Sequence, residues 1–258
     1  MKNMSTIKNK EPLPDFKIII PARYASQRFP GKPLHKILGK PLIQYTYENA
    51  LRSGADEVIV ASDDERIIDC VRGFGGVACL SSATHKTGSD RSAEIAANEQ
   101  WRDDQIVVNL QGDEPLLSPQ DIRSAVECLA AHPHADVATL AAEVAVEDLA
   151  ADSVVSVVCD SKHFALYFSR AVLAKSSKTG LHHIGIYVYY CNSLKHFASL
   201  AQPEIERSEC LEQLRVLWHG GAIYVGVVSP SSHVAIDTEA DVLKLEDILR
   251  TLNDTPRN

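Results

Sequence analysis

Three cations crowd one short stretch of this chain. Arg23, Arg28 and Lys32 lie within Pro21-Ala22-Arg23-Tyr24-Ala25-Ser26-Gln27-Arg28-Phe29-Pro30-Gly31-Lys32-Pro33. The run Ile18-Ile19-Ile20, which reads as a buried strand, leads straight into it. In an open α/β sheet, ligands bind at the carboxyl ends of parallel strands. Guanidinium forks match phosphate oxygens, and an ammonium adds a movable point charge, so a nucleoside triphosphate suits such a loop. Solvated surface charge is the alternative reading of the same residues. Gly31-Lys32-Pro33 lacks the Ser or Thr that follows the lysine of a Walker loop, which argues against P-loop chemistry.

A second group is Gln111-Gly112-Asp113-Glu114-Pro115, directly after the apolar run Ile106–Leu110. Mg²⁺ prefers one or two carboxylates together with phosphate oxygens, so Asp113 is a natural ligand for it. As a Gly-Asp turn, the same residues need no metal. Glu114 reads as a turn residue or a neighbour of the next helix dipole. His85-Lys86-Thr87-Gly88-Ser89-Asp90-Arg91 feeds a helix whose first amides, with Arg91, can hold a nucleotide, and Ser89 as N-cap explains it nearly as well. Asp237, in Ile236-Asp237-Thr238, stands ahead of a capped helix. Brought beside Asp113 it would be a second metal ligand, a pairing that spacing alone does not reveal. His132-Pro133-His134-Ala135-Asp136 reads as a surface loop, and no G-x-S-x-G is present.

The elements that must position these groups follow from pattern. Strands are expected at Lys17–Ile20, Glu57–Ala61, Val77–Leu80, Ile106–Leu110 and Asp136–Glu143, and helices at Pro41–Ser53, from Ser62-x-x-Glu65 to Phe74, at Ser89–Asn98 and from Ser118-Pro119 to Ala131. That alternation calls for an α/β fold with a mostly parallel sheet covered on both faces. The second half changes character. Val154–Cys159 and Phe164–Ser169 read as a hairpin across Asp160-Ser161-Lys162, and His183–Tyr190 and Ala222–Val228 as further strands. Glu209–Trp218 reads as one amphipathic helix, and Thr238–Arg250 as the last helix. The first 15 residues read as a flexible extension, and a weak boundary falls near Glu147–Asp152. A net charge of −8 argues against unspecific nucleic-acid or anionic-membrane binding. No apolar run is long enough for a membrane span, and six scattered Cys without a C-x-x-C pair suggest reduced thiols in a cytoplasmic protein.

Taken together, these motifs resemble the sugar nucleotidyltransferases, in particular the branch that activates the eight-carbon acid sugar 3-deoxy-manno-octulosonate (Kdo) with CTP. The resemblance runs from Phe16 to Arg250, on IPARYASQRFPGKPL (20–34), VASDDERI (60–67), HKTGSDR (85–91), VNLQGDEP (108–115), ALYFSRA (165–171), HIGIY (183–187), LEQLRVLWHG (211–220) and IDT (236–238). It implies a single Rossmann-like domain with a nucleotide half at about 16–145, and a smaller β-rich part at about 150–220 for sugar binding and dimerisation. The implied reaction joins CTP and Kdo into CMP-Kdo and pyrophosphate with Mg²⁺, for lipopolysaccharide synthesis in the cytoplasm of the cell. In it Arg23, Arg28 and Lys32 would neutralise the triphosphate, and Asp113 and Asp237 would hold the metal, with Arg23, Lys32 and the two aspartates as the catalytic set. Pro21, Ala22, Ser26, Ala61, Asp63, Thr87, Gly88, Arg91 and Gln111 would surround the nucleotide. Arg170, His183, Tyr187, Glu212 and Gln213, with Gln111, would line the sugar site, and the chain would form a homodimer. Two departures bear on the sugar side: Ser156 stands where the family has Lys, and the connection from Arg170 to His183 is short. A related acid sugar (8-amino-Kdo or sialic acid), or a binding protein of the same fold without turnover, are the alternatives.

Overall fold

The computed structural model describes residues 12–25, 29–151, 154–173, 177–230, 235–236 and 238–254. Ser26, Arg28 and Asp237 lie outside the described residues.

The β-branched runs become the strands of one sheet. They are β1 (Phe16–Ala22), β4 (Glu57–Ser62), β5 (Val77–Leu80), β6 (Ile106–Leu110), β7 (Val137–Ala145), β8 (Ser156–Cys159), β9 (Ala165–Ser169), β10 (Thr179–Tyr190) and β11 (Ile223–Val228). A separate two-residue pair, β2 (Lys36–Ile37) and β3 (Lys40–Pro41), follows the first loop. Between them run α1 (Leu42–Arg52), α2 (Glu65–Gly73), α3 (Gly88–Asn98), α4 (Pro119–Ala131), α5 (Cys191–Ser199), α6 (Glu204–Glu209), α7 (Leu214–Trp218) and α8 (Glu239–Asp254).

The sheet order is β11-β7-β10-β6-β1-β4-β5. The β1–β4, β1–β6, β4–β5 and β11–β7 pairs are parallel, while β10 runs antiparallel to both β6 and β7. The sheet is thus mostly parallel, with one reversed strand. From β1 the chain crosses to β4 and β5 on one side, while β6 lies on the other. The loops after β1 and β6 therefore part, and leave a crevice at their carboxyl ends.

Residues alternate strictly between the faces. Ile18 and Ile20 join α1, α2 and α4 in one core, and Ile19 joins α3, α5 and α7 in the other. A third, small cluster packs Val242 and Leu245 of α8 with Phe29, Ile37, Leu42 and Ile236. It anchors the far end of the cationic loop and the segment ahead of α8 in one place.

Four expectations change. The N-cap of α2 is Asp64, which accepts from the Arg66 amide at 3.0 Å, not Ser62. The N-cap of α3 is Thr87, whose hydroxyl accepts from Asp90 N while the Asp90 carboxylate accepts from Thr87 N, both at 3.1 Å, so Ser89 is free for another task. The helix expected over Glu209–Trp218 is two pieces, because Cys210 turns left-handed at φ 54° and ends α6 there. β10 links the β-rich part to the central strands: it pairs with β8 at Leu181 and His182, then with β6 from Ile186 to Tyr190. Leu13 packs against the core, so the extension is docked at least from there. No described helix is long and apolar enough to cross a membrane.

Candidate active site

The loop after β1 turns back through Gly31, whose φ of 72° is left-handed and whose amide donates to Tyr24 O at 2.9 Å. This return brings Lys32 against the end of β6, where its Nζ meets Asp113 Oδ2 at 2.7 Å. Arg23 Nη2 donates to His85 O at 2.6 Å, tying the same loop to the turn before α3. A cavity of about 230 Å³ opens here, lined by Pro21, Ala22, Arg23, Lys32, Gly88, Gln111 and Asp113 among others. A side chain on Gly88 would come within 3.0 Å of both Pro21 and Gln111, so glycine keeps this floor open.

A second, larger cavity of about 530 Å³ lies beside it, between α3, β10 and the α6–α7 segment. Thr87, Arg170, His183, Tyr187, Glu212 and Gln213 line it. Gly88, Gln111 and Asp113 line both cavities, so the two meet at the end of β6.

The wall of the larger cavity is a buried polar network. Ser89 N and Oγ donate to the Glu212 carboxylate at 3.1 Å each, and Gln111 Nε2 approaches it at 3.4 Å. Asn109 Nδ2 donates to Ser89 Oγ at 2.8 Å, and Tyr189 meets the same oxygen at 3.0 Å. Burial pushes the Glu212 carboxyl up from the usual range, against the pull of its donors. Tyr187 Oη donates to Gln213 Oε1 at 3.1 Å, and burial lifts its phenol well above the ordinary value. Gln213 Nε2 is buried with no partner among the described residues. His183 is buried as well, and burial drives its imidazole down to about 3, so it stays neutral.

Other expected residues back these walls. Arg91 is wholly buried; its guanidinium lies 3.2 Å from Asp63 and bonds Ser81 Oγ, and its Nε has no hydrogen-bond partner among the described residues. Burial lowers its pKa against the pull of Asp63. Ala61 is buried beside Pro21 in the β1–β4 register. Ala61, Asp63 and Arg91 line neither cavity.

Three participants carry little sequence signal. Glu114 is buried and accepts from Gly185 N at 3.3 Å, while Gly185 O accepts from Gln111 N at 3.2 Å. Arg215 is buried and forks onto Glu206 at 2.6 and 2.8 Å while meeting Asp90 at 2.7 Å, so it clamps α6 and α7 to α3. Thr139 lies on β7 behind His183. A lone Thr in the apolar stretch Val137–Ala142 is its only trace in the sequence.

The donor set suits a hard cation shared with a ligand. Asp113 offers one partly exposed carboxylate, and no described group of three or more His, Cys, Asp or Glu could hold a metal alone. Ile236 N donates to Asp113 O at 3.0 Å, so the segment that precedes Asp237 is fixed against Asp113. His132 stacks on Tyr224 with centroids 3.5 Å apart, and its Nδ1 meets Cys128 O at 2.8 Å. The six cysteines are free thiols.

Comparison with known proteins gives one consistent result. A 3-deoxy-manno-octulosonate cytidylyltransferase from Thioalkalivibrio sulfidiphilus is 46% identical, over 91% of this chain and 99% of its own length. Those of Vibrio cholerae and Nitrosococcus oceani are 45% and 41% identical, covering 88% and 92% of the chain and 94% and 97% of their own lengths. A solved CMP:2-keto-3-deoxy-manno-octonic acid synthetase complexed with CTP superposes with a TM-score of 0.84 at 37% identity, over 93% of this chain and all of that one. The family model for cytidylyltransferases matches residues 17–224. The chain belongs to the cytidylyltransferase family.

Proposed function

We propose that this protein joins CTP to Kdo, giving CMP-Kdo and pyrophosphate, the activated sugar for lipopolysaccharide synthesis. One observation carries the reading: two cavities of different character meet at Gly88, Gln111 and Asp113. The smaller, beside Arg23 and Lys32, suits a triphosphate. The larger, with the buried neutral groups His183, Tyr187 and Gln213, suits a polyhydroxylated sugar, and Arg170 supplies a cation for its carboxylate.

The sugar's anomeric hydroxyl oxygen forms a bond to the α-phosphorus as the bond from that phosphorus to the β-phosphate bridge breaks. The hydroxyl proton is lost to solvent and pyrophosphate leaves. Arg23 and Lys32 offset the charge that builds on the leaving group. Gln111 spans the junction and positions both substrates, and the Ser89–Glu212 network keeps that wall rigid. Asp113, with Asp237, would hold Mg²⁺. When bound, the ion polarises phosphate oxygens and helps orient the nucleophile. Lys32 meets the Asp113 carboxylate at 2.7 Å and lines the smaller cavity, so it stands between the proposed metal ligand and the proposed triphosphate site.

A homodimer and a cytoplasmic site of action belong to the same proposal, the first supported by the family resemblance and the second by the free thiols. Pyrophosphate release from CTP and Mg²⁺ is the test. Release that depends on added Kdo supports the reading. CTP binding without release under any acid sugar overturns it in favour of a binding protein.

A further inference from the structure

β10 does not pair smoothly with β7. His183 lies opposite Ala141 and Ile184 opposite Leu140, but the next pair is Tyr187 with Thr139. Gly185 and Ile186 are therefore extra residues, a bulge of two. Two extra residues preserve the alternation, so His183 and Tyr187 face the same cavity, with ring centroids 5.4 Å apart.

The Thr139 side chain fills the gap that the bulge leaves. Its Oγ1 lies 2.6 Å from Ile186 O, 3.4 Å from Ile184 O and 2.9 Å from His183 Nε2. Thr139 is wholly buried, so no solvent competes for these contacts. A hydroxyl has one proton and two lone pairs. The short contact to Ile186 O takes the proton, because a carbonyl can only accept. The lone pairs must then receive hydrogen from His183, which fixes the imidazole proton on Nε2. His183 Nδ1 is left with its lone pair, and no described residue bonds to it. Carbonyl, hydroxyl and imidazole thus form a relay that decides which way His183 can hydrogen-bond.

We infer that Thr139 is a positioning residue for the sugar half of the reaction: it locks His183 as the Nε2–H tautomer, so that Nδ1 accepts a hydrogen bond from a sugar hydroxyl in the larger cavity. The inference rests on the sugar-activating reading for the identity of that hydroxyl donor, while the tautomer itself rests on geometry alone. A site built to bond a substrate hydroxyl discriminates strongly against molecules that lack it, so the tautomer is a specificity device. In the other tautomer, with hydrogen on Nδ1, the cavity would present a donor in place of an acceptor.

The test uses the full chain. Nitrogen-15 NMR of histidine-labelled wild type reads the His183 tautomer without any sugar. Protonated Nε2 with unprotonated Nδ1 is expected; protonated Nδ1 overturns the assignment. Thr139→Val keeps the shape and removes the hydroxyl, and loss of one such bond should raise KM for Kdo about tenfold. KM for CTP should stay within about twofold, since Thr139 touches only the sugar wall. Thr139→Ser, which restores the hydroxyl, should recover the wild-type KM. An unchanged KM for Kdo in folded Thr139→Val, equal rises for both substrates, or no rescue by Ser each overturns the role. Should Thr139→Val fail to fold, the wild-type spectrum still decides. A wild type that releases no pyrophosphate with Kdo defeats the functional reading, and leaves the tautomer to the spectrum.

Discussion

At the scale of single residues, the proposed reaction rests first on Asp113 and Lys32. Their contact of 2.7 Å sits where both cavities open, with each side chain partly accessible. Asp113→Asn keeps the size and loses the charge that a metal needs. Turnover should fall by about 10²-fold or more, the scale seen when a group that meets transition-state charge is removed. Circular dichroism and thermal unfolding should stay near wild type. Lys32→Ala should also slow turnover, at saturating as well as limiting CTP, because charge on the leaving group develops only in the transition state. Near-normal steady-state rates in either variant would remove that residue from the machinery. Both residues are legible in the sequence, since a cation-rich loop and a Gly-Asp turn each follow a strongly apolar strand. Glu114, Thr139 and Arg215 are not. Each depends on burial and on a partner 44 or more positions away, namely Gly185, His183 and Asp90 in turn.

Among the elements, the α6–α7 segment shows best how the wall of the larger cavity is held. Pattern alone suggests one helix over Glu209–Trp218 with Leu211, Leu214, Leu217 and Trp218 on one side, whereas Leu211 and Leu214 are buried and Trp218 is exposed. The left-handed Cys210 breaks it, because Arg215 must reach both Glu206 on α6 and Asp90 on α3. Arg215 is about as buried as Glu206, and the Phe197 ring lies 4.2 Å from its guanidinium carbon. Removing one partner of a buried ion pair strands the others and costs about 3–5 kcal/mol. Arg215→Met should lower stability by that amount in urea unfolding, and loosen Glu212 and Gln213 on the cavity wall. Arg215→Lys should recover only part, because an ammonium cannot fork onto Glu206 while meeting Asp90. A loss below about 1 kcal/mol for Arg215→Met, within the range of an exposed pair, would show that the clamp is not holding the wall. The N-caps carry the same lesson. Ser62-x-x-Glu65 and Ser89 both fit local rules, yet Asp64 and Thr87 take the caps. Ser89 is drawn into the interior by Asn109, Tyr189 and Glu212, a competition that no local pattern records.

For the whole molecule, the sheet order is what turns scattered motifs into one site. Motifs around residues 23, 88, 113 and 213 meet because β1 and β6 are neighbours at the switch point and β10 returns antiparallel beside β6. The α/β class and the alternation of strands and helices are legible from periodicity. The reversed insertion of β10 is not, because a period of two does not record strand direction. Burying His183 in this frame has a global consequence. Its imidazole titrates at about 6.5 when free and at about 3 in the fold, so the folded state binds fewer protons between those values. The stability it contributes is complete above about pH 6.5 and is lost as pH falls toward 3. Urea unfolding at pH 6.5 and 5 should show a loss of about 1–2 kcal/mol in the wild type beyond that in His183→Gln. Parallel losses in the two proteins would contradict the burial account.

The identity of the product tests the Kdo-activating reaction at its source. CTP, Mg²⁺ and the wild-type chain would be incubated with Kdo, 8-amino-Kdo or sialic acid, and the mixtures read by phosphorus-31 NMR. A phosphodiester resonance of a CMP-sugar is expected to rise together with pyrophosphate, one for one, and fastest with Kdo. Formation of such a diester only with another acid sugar would contradict the Kdo assignment, and pyrophosphate without any diester would contradict transfer to a sugar altogether.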